Sequence, residues 1–163
     1  MRLTRRRHGH ASAHGQHSNT PTVSAVDSGA VGSRGGIDAA YGDVQRFHAK
    51  FRCVRRRSPW PLGERTRNLR KKLIQEEVRE LLEALDSGDV PHIAQEAMDV
   101  IFVVLGTLVS MGIRPGRVWD AVVRANMRKI RNPRGGKVMK PKGFRGPEKE
   151  IKSEILRQFY DLP

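Results

Sequence analysis

Residues 69–113 read LRKKLIQEEVRELLEALDSGDVPHIAQEAMDVIFVVLGTLVSMGI. Apolar residues recur three and four apart along this stretch, which is the helical period. Ser87-Gly88 divides it into two helices. In the first, Ile74, Val78, Leu81 and Leu85 form one apolar stripe, and Leu69, Leu73 and Ala84 form a second. Glu77 and Glu80 fall between the two stripes. In the second, Glu96 precedes Asp99, and Asp99 interrupts a run, AMDVIFVVLGTLVSMGI, that has no other charge. The pattern is E-x-x-E followed by E-x-x-D, and residues three apart share a helix face. Four convergent carboxylates among apolar side chains repel one another and would take up protons. A divalent cation removes that cost, and hard oxygen ligands suit Mg²⁺, with Mn²⁺ as a substitute. One such pair alone reads as a solvated helix face. Two pairs on adjacent apolar helices point to a metal site at Glu77, Glu80, Glu96 and Asp99.

Working outward, a first helix is predicted from about Ile37 to Cys53, with Val44, Phe47 and Phe51 on one face. Phe47 is expected in the core. His48 falls on another face, in the base pocket or at the surface. RRRSPWPLGERT, with Pro59 and Pro61, is a loop, in which Trp60 stacks on a base or pins the loop. The second helix should run from Glu64 to Asp86, with Gly88 as a left-handed C-cap. Asp89 caps the third, Pro91 sits in its first turn, and it ends near Gly112. Pro115 opens a fourth, Val118 to Ile130, which Asn132-Pro133 ends. Trp119 on that helix reads as core or dimer interface. A basic, turn-rich segment leads to a short last helix, about Glu148 to Tyr160. No strand and no repeat is recognisable. The fold class is therefore all-α, a bundle of four main helices. The third helix is apolar nearly all round and must be covered on every side. One subunit of this size can hardly do so, which predicts a homodimer or homotetramer.

The chain has 163 residues, one domain's worth, with a formal net charge of +14. Such a charge points to anionic partners. It is segregated: Lys50 to Lys72 and Arg124 to Arg145 are basic, while Glu76 to Asp99 holds eight acids and one base, Arg79. An acidic centre between basic flanks fits a metal-polyphosphate ligand, whereas a plain DNA-binding surface needs no acids. Cys53 is the only cysteine, which excludes an intrachain disulfide and a zinc-cysteine cluster and fits a reducing cytoplasm. The longest uncharged apolar run, Val100 to Ile113, has fourteen residues, against the roughly 20 needed to span a bilayer. No membrane association is expected. Residues 1–36, rich in Arg, His, Ser and Gly, read as a disordered basic tail, leaving 37–163 as the domain.

LIQEEVRELLEALDSGD, IAQEAMDVIFVVLGTLVSMGI and RANMRKI together resemble the MazG-like all-α nucleoside triphosphate pyrophosphohydrolases, relatives of phosphoribosyl-ATP pyrophosphohydrolase and of the dimeric dUTPases. VQRFHAKF and GKVMKPKGFRGPE are similar to segments of the small single-domain members. The resemblance covers roughly residues 41–150. It implies that Glu77, Glu80, Glu96 and Asp99 bind Mg²⁺ and that Glu76 orients or deprotonates the attacking water. It also implies that Asn126 and Lys129, in N-x-x-K, contact the nucleotide or its phosphates. Arg70 or Lys72 is a further candidate for charge on the leaving group. The implied reaction is water attack on the α-phosphorus of a (deoxy)nucleoside triphosphate, releasing pyrophosphate.

Two other readings stand beside it. A basic helical module that binds nucleic acid would use the acids only as intrahelical partners and would show strongly salt-dependent affinity without metal. A phosphoribosyl-ATP pyrophosphohydrolase would share the fold and the acids, and differ in substrate.

Overall fold

The computed structural model describes residues 35–160, which form five helices. The predicted disordered tail therefore lies outside the described residues, except for Gly35 and Gly36, which open the first helix. In chain order the helices are α1 (Gly35–Lys50), α2 (Glu64–Ser87), α3 (Val90–Met111), α4 (Gly116–Met127) and α5 (Glu148–Tyr160). The described residues contain no strand, only an isolated bridge between Ile130 and Met139. The expected all-α class holds.

The helix ends follow from local chemistry. Gly88 and Gly112 both take the left-handed conformation, with φ of 71° and 73°, which glycine adopts without a Cβ penalty. Gly112 has a second constraint, since a Cβ there would run into the carbonyl of Ser58 on the preceding loop. Asp89 occupies the N-cap of α3 but its side chain makes no capping bond. Its backbone carbonyl instead accepts from Ile93, at 2.8 Å.

α2 and α3 form the main helix pair, α1 packs on α3, and α4 packs against α1 and α5. The core at the α1–α3 contact contains Tyr41, Val44, Leu105 and Val109. This corrects the expected inner face of α1. His48 is 3% exposed and Phe47 is 41% exposed, because Tyr41, Val44 and His48 form the buried row, three and four residues apart. Phe47 lies beside it, edge-on to Phe102 with ring centroids 5.1 Å apart. Trp119 is 50% exposed, so within the subunit it is not core.

α3 is longer than its uncharged run. At 22 residues it is long and apolar enough, by length and composition alone, to cross a bilayer. Here α1 and α2 pack against it, and Glu96 and Asp99 interrupt its apolar surface. Met98, Ile101, Phe102 and Val104 on α3 are left exposed, as are Val78, Leu82 and Leu85 on α2.

Candidate metal centre and the clamp beside it

α2 and α3 bring three of the four predicted acids together. Glu77 from α2 and Glu96 and Asp99 from α3 each offer a carboxylate oxygen, and these oxygens lie within 4.8 Å of one another. Glu96 is buried, and Glu77 and Asp99 are half-buried. Neither Glu77 nor Asp99 has a hydrogen-bond or ion-pair partner among the described residues. Glu96 meets His92 one turn earlier, at 3.3 Å, and that histidine is half-exposed. Burial of its carboxylate raises the Glu77 pKa, and the charges of Asp99, Glu80, Glu96 and Glu76 raise it further. The donor set fits a hard divalent cation. Octahedral Mg²⁺ holds oxygens at about 2.0–2.1 Å, so opposite ligands stand about 4 Å apart. Carboxylates already within 4.8 Å need only small side-chain adjustments to reach that spacing.

Glu80 is near enough to act on Glu77 electrostatically but belongs to a different set of bonds. Arg79 holds it at 2.9 Å and holds Glu83 at 2.8 Å. Glu76 is exposed at the edge of the cluster.

Arg70 is not where its assignment to substrate phosphates would put it. It is buried, and its guanidinium donates to Thr107 Oγ1 at 3.2 Å and to the carbonyl of Val103. Gly106 makes this possible: a Cβ there would lie 2.6 Å from Arg70 Nη2 and 3.0 Å from His48 Nε2. His48 is held in turn by its Nδ1, 2.9 Å from the carbonyl of Val54. Arg70 lies two turns before Glu77 on α2. Val103 and Thr107 lie one and two turns beyond Asp99 on α3. The clamp therefore fixes the register that places Glu77 beside Glu96 and Asp99. Sequence reading missed it because a buried arginine without an acid partner looks like a solvated one. The signal available was Gly106 in an otherwise bulky helix.

Lys72 is exposed on α2. Asn126 and Lys129 lie at and just beyond the end of α4, which packs on α1 and α5 and not on α2 or α3. The single subunit thus does not bring N-x-x-K to the acids. None of the four acids lines any of the principal cavities. Glu96 is buried at the base of the candidate centre, and Glu77 and Asp99 are partly open to solvent.

A family model described as phosphoribosyl-ATP pyrophosphohydrolase matches residues 44–126. That span includes His48, Arg70, all four acids, Gly106 and Asn126. No curated protein matches the chain.

Proposed function

Because the chain belongs to the phosphoribosyl-ATP pyrophosphohydrolase family, a group of nucleotide pyrophosphohydrolases, we propose that it hydrolyses a (deoxy)nucleoside triphosphate at the α-phosphorus with the aid of Mg²⁺. The observation that carries this reading is the convergence of Glu77, Glu96 and Asp99, two of them without a partner among the described residues. These three carboxylates would hold the cation, with Glu80 joining them on release from Arg79. When bound, the cation polarises a phosphoryl oxygen and makes water a better nucleophile.

Glu76, exposed beside the cluster, orients the water and accepts its proton. Oxygen adds to the α-phosphorus, the α–β P–O bond breaks, and the electron pair leaves with pyrophosphate. Lys72, with Lys129 brought from a second copy, stabilises the charge that develops on the leaving group, and Asn126 of that copy contacts the nucleotide. The second copy covers the exposed apolar faces of α2 and α3 and encloses the acids, so the working unit is a homodimer or homotetramer in the cytoplasm.

Hydrolysis in ¹⁸O-water tests the reaction. Label should appear in the nucleoside monophosphate, with unlabelled pyrophosphate as the other product, and EDTA should stop turnover. Orthophosphate and nucleoside diphosphate as first products would refute α-attack. A second reading follows from the description of the matching family model: the substrate is phosphoribosyl-ATP, cleaved at the same bond. A substrate panel containing NTPs, dNTPs and phosphoribosyl-ATP separates the two by relative kcat/KM.

A further inference from the structure

The far end of α3 carries a feature that the pyrophosphohydrolase reading does not use. A cavity of about 420 Å³ opens between α1, the loop before α2 and the turn after α3. Arg55, Arg56, Arg57 and Arg114 surround it, with Tyr41 and Gln45 on the α1 side. None of the four guanidinium groups makes an ion pair with a described residue. Four solvent-exposed like charges around one concavity repel one another, and a bound anion relieves that repulsion.

The backbones that present these arginines are tied down. The Val54 carbonyl accepts from Ser110 Oγ at 3.1 Å and also meets His48 Nδ1. The N–H of Arg56 donates to Val109 at 3.1 Å, and that of Trp60 to Met111 at 2.9 Å. The loop is thereby strapped along the last turn of α3, against the glycine face at Gly112. On the other side, Gln158 of α5 brackets Arg114. Its Oε1 accepts from the Arg114 N–H and its Nε2 donates to the Arg114 carbonyl, both at 2.9 Å. Arg56 and Arg114 therefore leave from fixed backbone points, which reduces the ordering cost of binding. A second cavity shares Tyr41, Gln45 and Arg114, and there Arg117 and Arg157 are balanced by Asp38 and Glu154, so the unbalanced positive lining belongs to the first.

We infer that this arginine-lined cavity is a second anion site, one that binds a phosphate-bearing small molecule at a place separate from the acidic centre of the same subunit. Asp99 lies thirteen residues before Gly112, the C-cap of α3, about 20 Å at 1.5 Å per residue. Arginine forks match phosphate oxygens bidentately. The volume falls in the usual range for small-ligand pockets, roughly 300–1,000 Å³. A concave site favours a compact anion over a nucleic-acid strand. Strand-binding surfaces stack bases on exposed aromatic rings, and the one aromatic lining this cavity, Tyr41, is buried.

Calorimetric titration of the full chain in EDTA at physiological salt tests this, with inorganic pyrophosphate and a nucleoside monophosphate as separate probes. Saturable binding of one or both is expected, and the tighter probe identifies which end of a nucleotide the site selects. Asp99→Asn should bind equally well. Arg56→Ala combined with Arg114→Ala should weaken binding at least tenfold while keeping the metal-induced rise in Tm. Arg57→Glu, which reverses charge at the rim and leaves every backbone bond in place, should do the same. Unchanged affinity in the arginine variants, or loss of binding in Asp99→Asn, would overturn the site. So would an oligonucleotide that binds tightly and salt-sensitively through the same arginines while neither small probe binds.

Discussion

At one end of the α2–α3 pair a guanidinium, Arg70, is buried without a carboxylate. Two turns along α2, three carboxylates converge without a guanidinium among them. The two places differ in what satisfies the charge. A guanidinium is delocalised, weakly hydrated and rich in donors, and a helix carbonyl with a threonine hydroxyl is enough to keep Arg70 inside. Carboxylates need donors, and Glu77 and Asp99 find none in the described protein. The first place is complete as a structural clamp, whereas the second has a donor set that fits a cation from solution. A charge lodged among neutral dipoles thus marks architecture, and unrelieved charges of one sign mark a binding centre.

The strongest way to break this contrast is to remove charge from the acidic end. Asp99→Asn and Glu77→Gln should each lower kcat/KM by about 10³-fold, since the metal's contribution is several kcal/mol and each 1.36 kcal/mol is tenfold. Both variants should also lose the rise in Tm that Mg²⁺ produces by binding the folded state. Removal of repulsion should leave their metal-free Tm equal to or above that of the parent protein. Thermal scans with and without Mg²⁺ check this, and an unchanged Mg²⁺-induced shift in both variants would sink the metal assignment.

At the other end the test is steric. Gly106→Ala places a methyl group 2.6 Å from Arg70 Nη2 and 3.0 Å from His48 Nε2. Overpacking of this kind costs about 1–3 kcal/mol. The guanidinium must move, and the α2–α3 register should loosen with it. The expected outcome is lower Tm together with weaker Mg²⁺ affinity, read by titration at a temperature where the variant is folded. Lower stability with unaltered Mg²⁺ affinity would show that the clamp does not position the acids.

The two ends were unequally legible in the sequence. The acids stood out because Glu77 and Asp99 interrupt apolar patterns, and the family resemblance pointed to the same positions. The helix breaks were legible at Gly88 and Gly112, whose backbone demands leave a residue-type signature. α4 begins at Gly116, before the expected Val118, because Pro115 already supplies the N-terminal turn and its carbonyl accepts from Trp119 at 2.7 Å. The burial of His48 in place of Phe47 was not legible. Periodicity alone ranks phenylalanine as the more buried residue, while the outcome depends on a loop carbonyl beyond the helix, Val54, that pairs with the imidazole Nδ1. Arg70 was hidden more deeply, since its acceptors lie on another helix, more than thirty residues away in the chain.

The contrast between the ends can be sharpened by pH, where the two have opposite signs. Burial lowers the His48 pKa from its ordinary 6.5, Val54 pulls it up, and Arg70 pushes it down. The unfolded chain therefore takes up this proton first as pH falls. His48 loses stability for the protein as pH drops below 6.5, down through its folded value. The Glu77 pKa is raised above its ordinary 4.5, by burial first. Its effect runs the other way, with metal-free stability declining as pH rises from 4.5 through its folded value. Each slope is at most about 1.4 kcal/mol per pH unit. Urea unfolding in EDTA across this range should show that His48→Gln flattens the acid-side loss. Glu77→Gln should flatten the decline at higher pH. The same sign of change in both variants would contradict the assignment of charge at one end or the other.

The smallest expected effect concerns the boundary of the acidic end. Arg79 is exposed and grips Glu80 and Glu83 on its own helix. Exposed pairs of this kind are solvated and screened by salt, so Arg79→Ala should barely move the Tm. Its consequence for the metal is more informative. Arg79 is the cation that competes for Glu80, the one predicted ligand outside the cluster of three. Its removal frees that carboxylate to turn toward Glu77 and adds a fourth hard oxygen to the set. It also takes away a positive charge that repels an incoming cation. Both changes act in one direction, and Mg²⁺ should bind Arg79→Ala more tightly than the parent protein, by less than tenfold. The double variant Arg79→Ala with Glu80→Gln separates the two causes. If Glu80 becomes a ligand, most of the gain disappears in the double variant. If only the lost positive charge matters, the gain survives, and Glu80 is a surface partner of Arg79 while the centre consists of Glu77, Glu96 and Asp99.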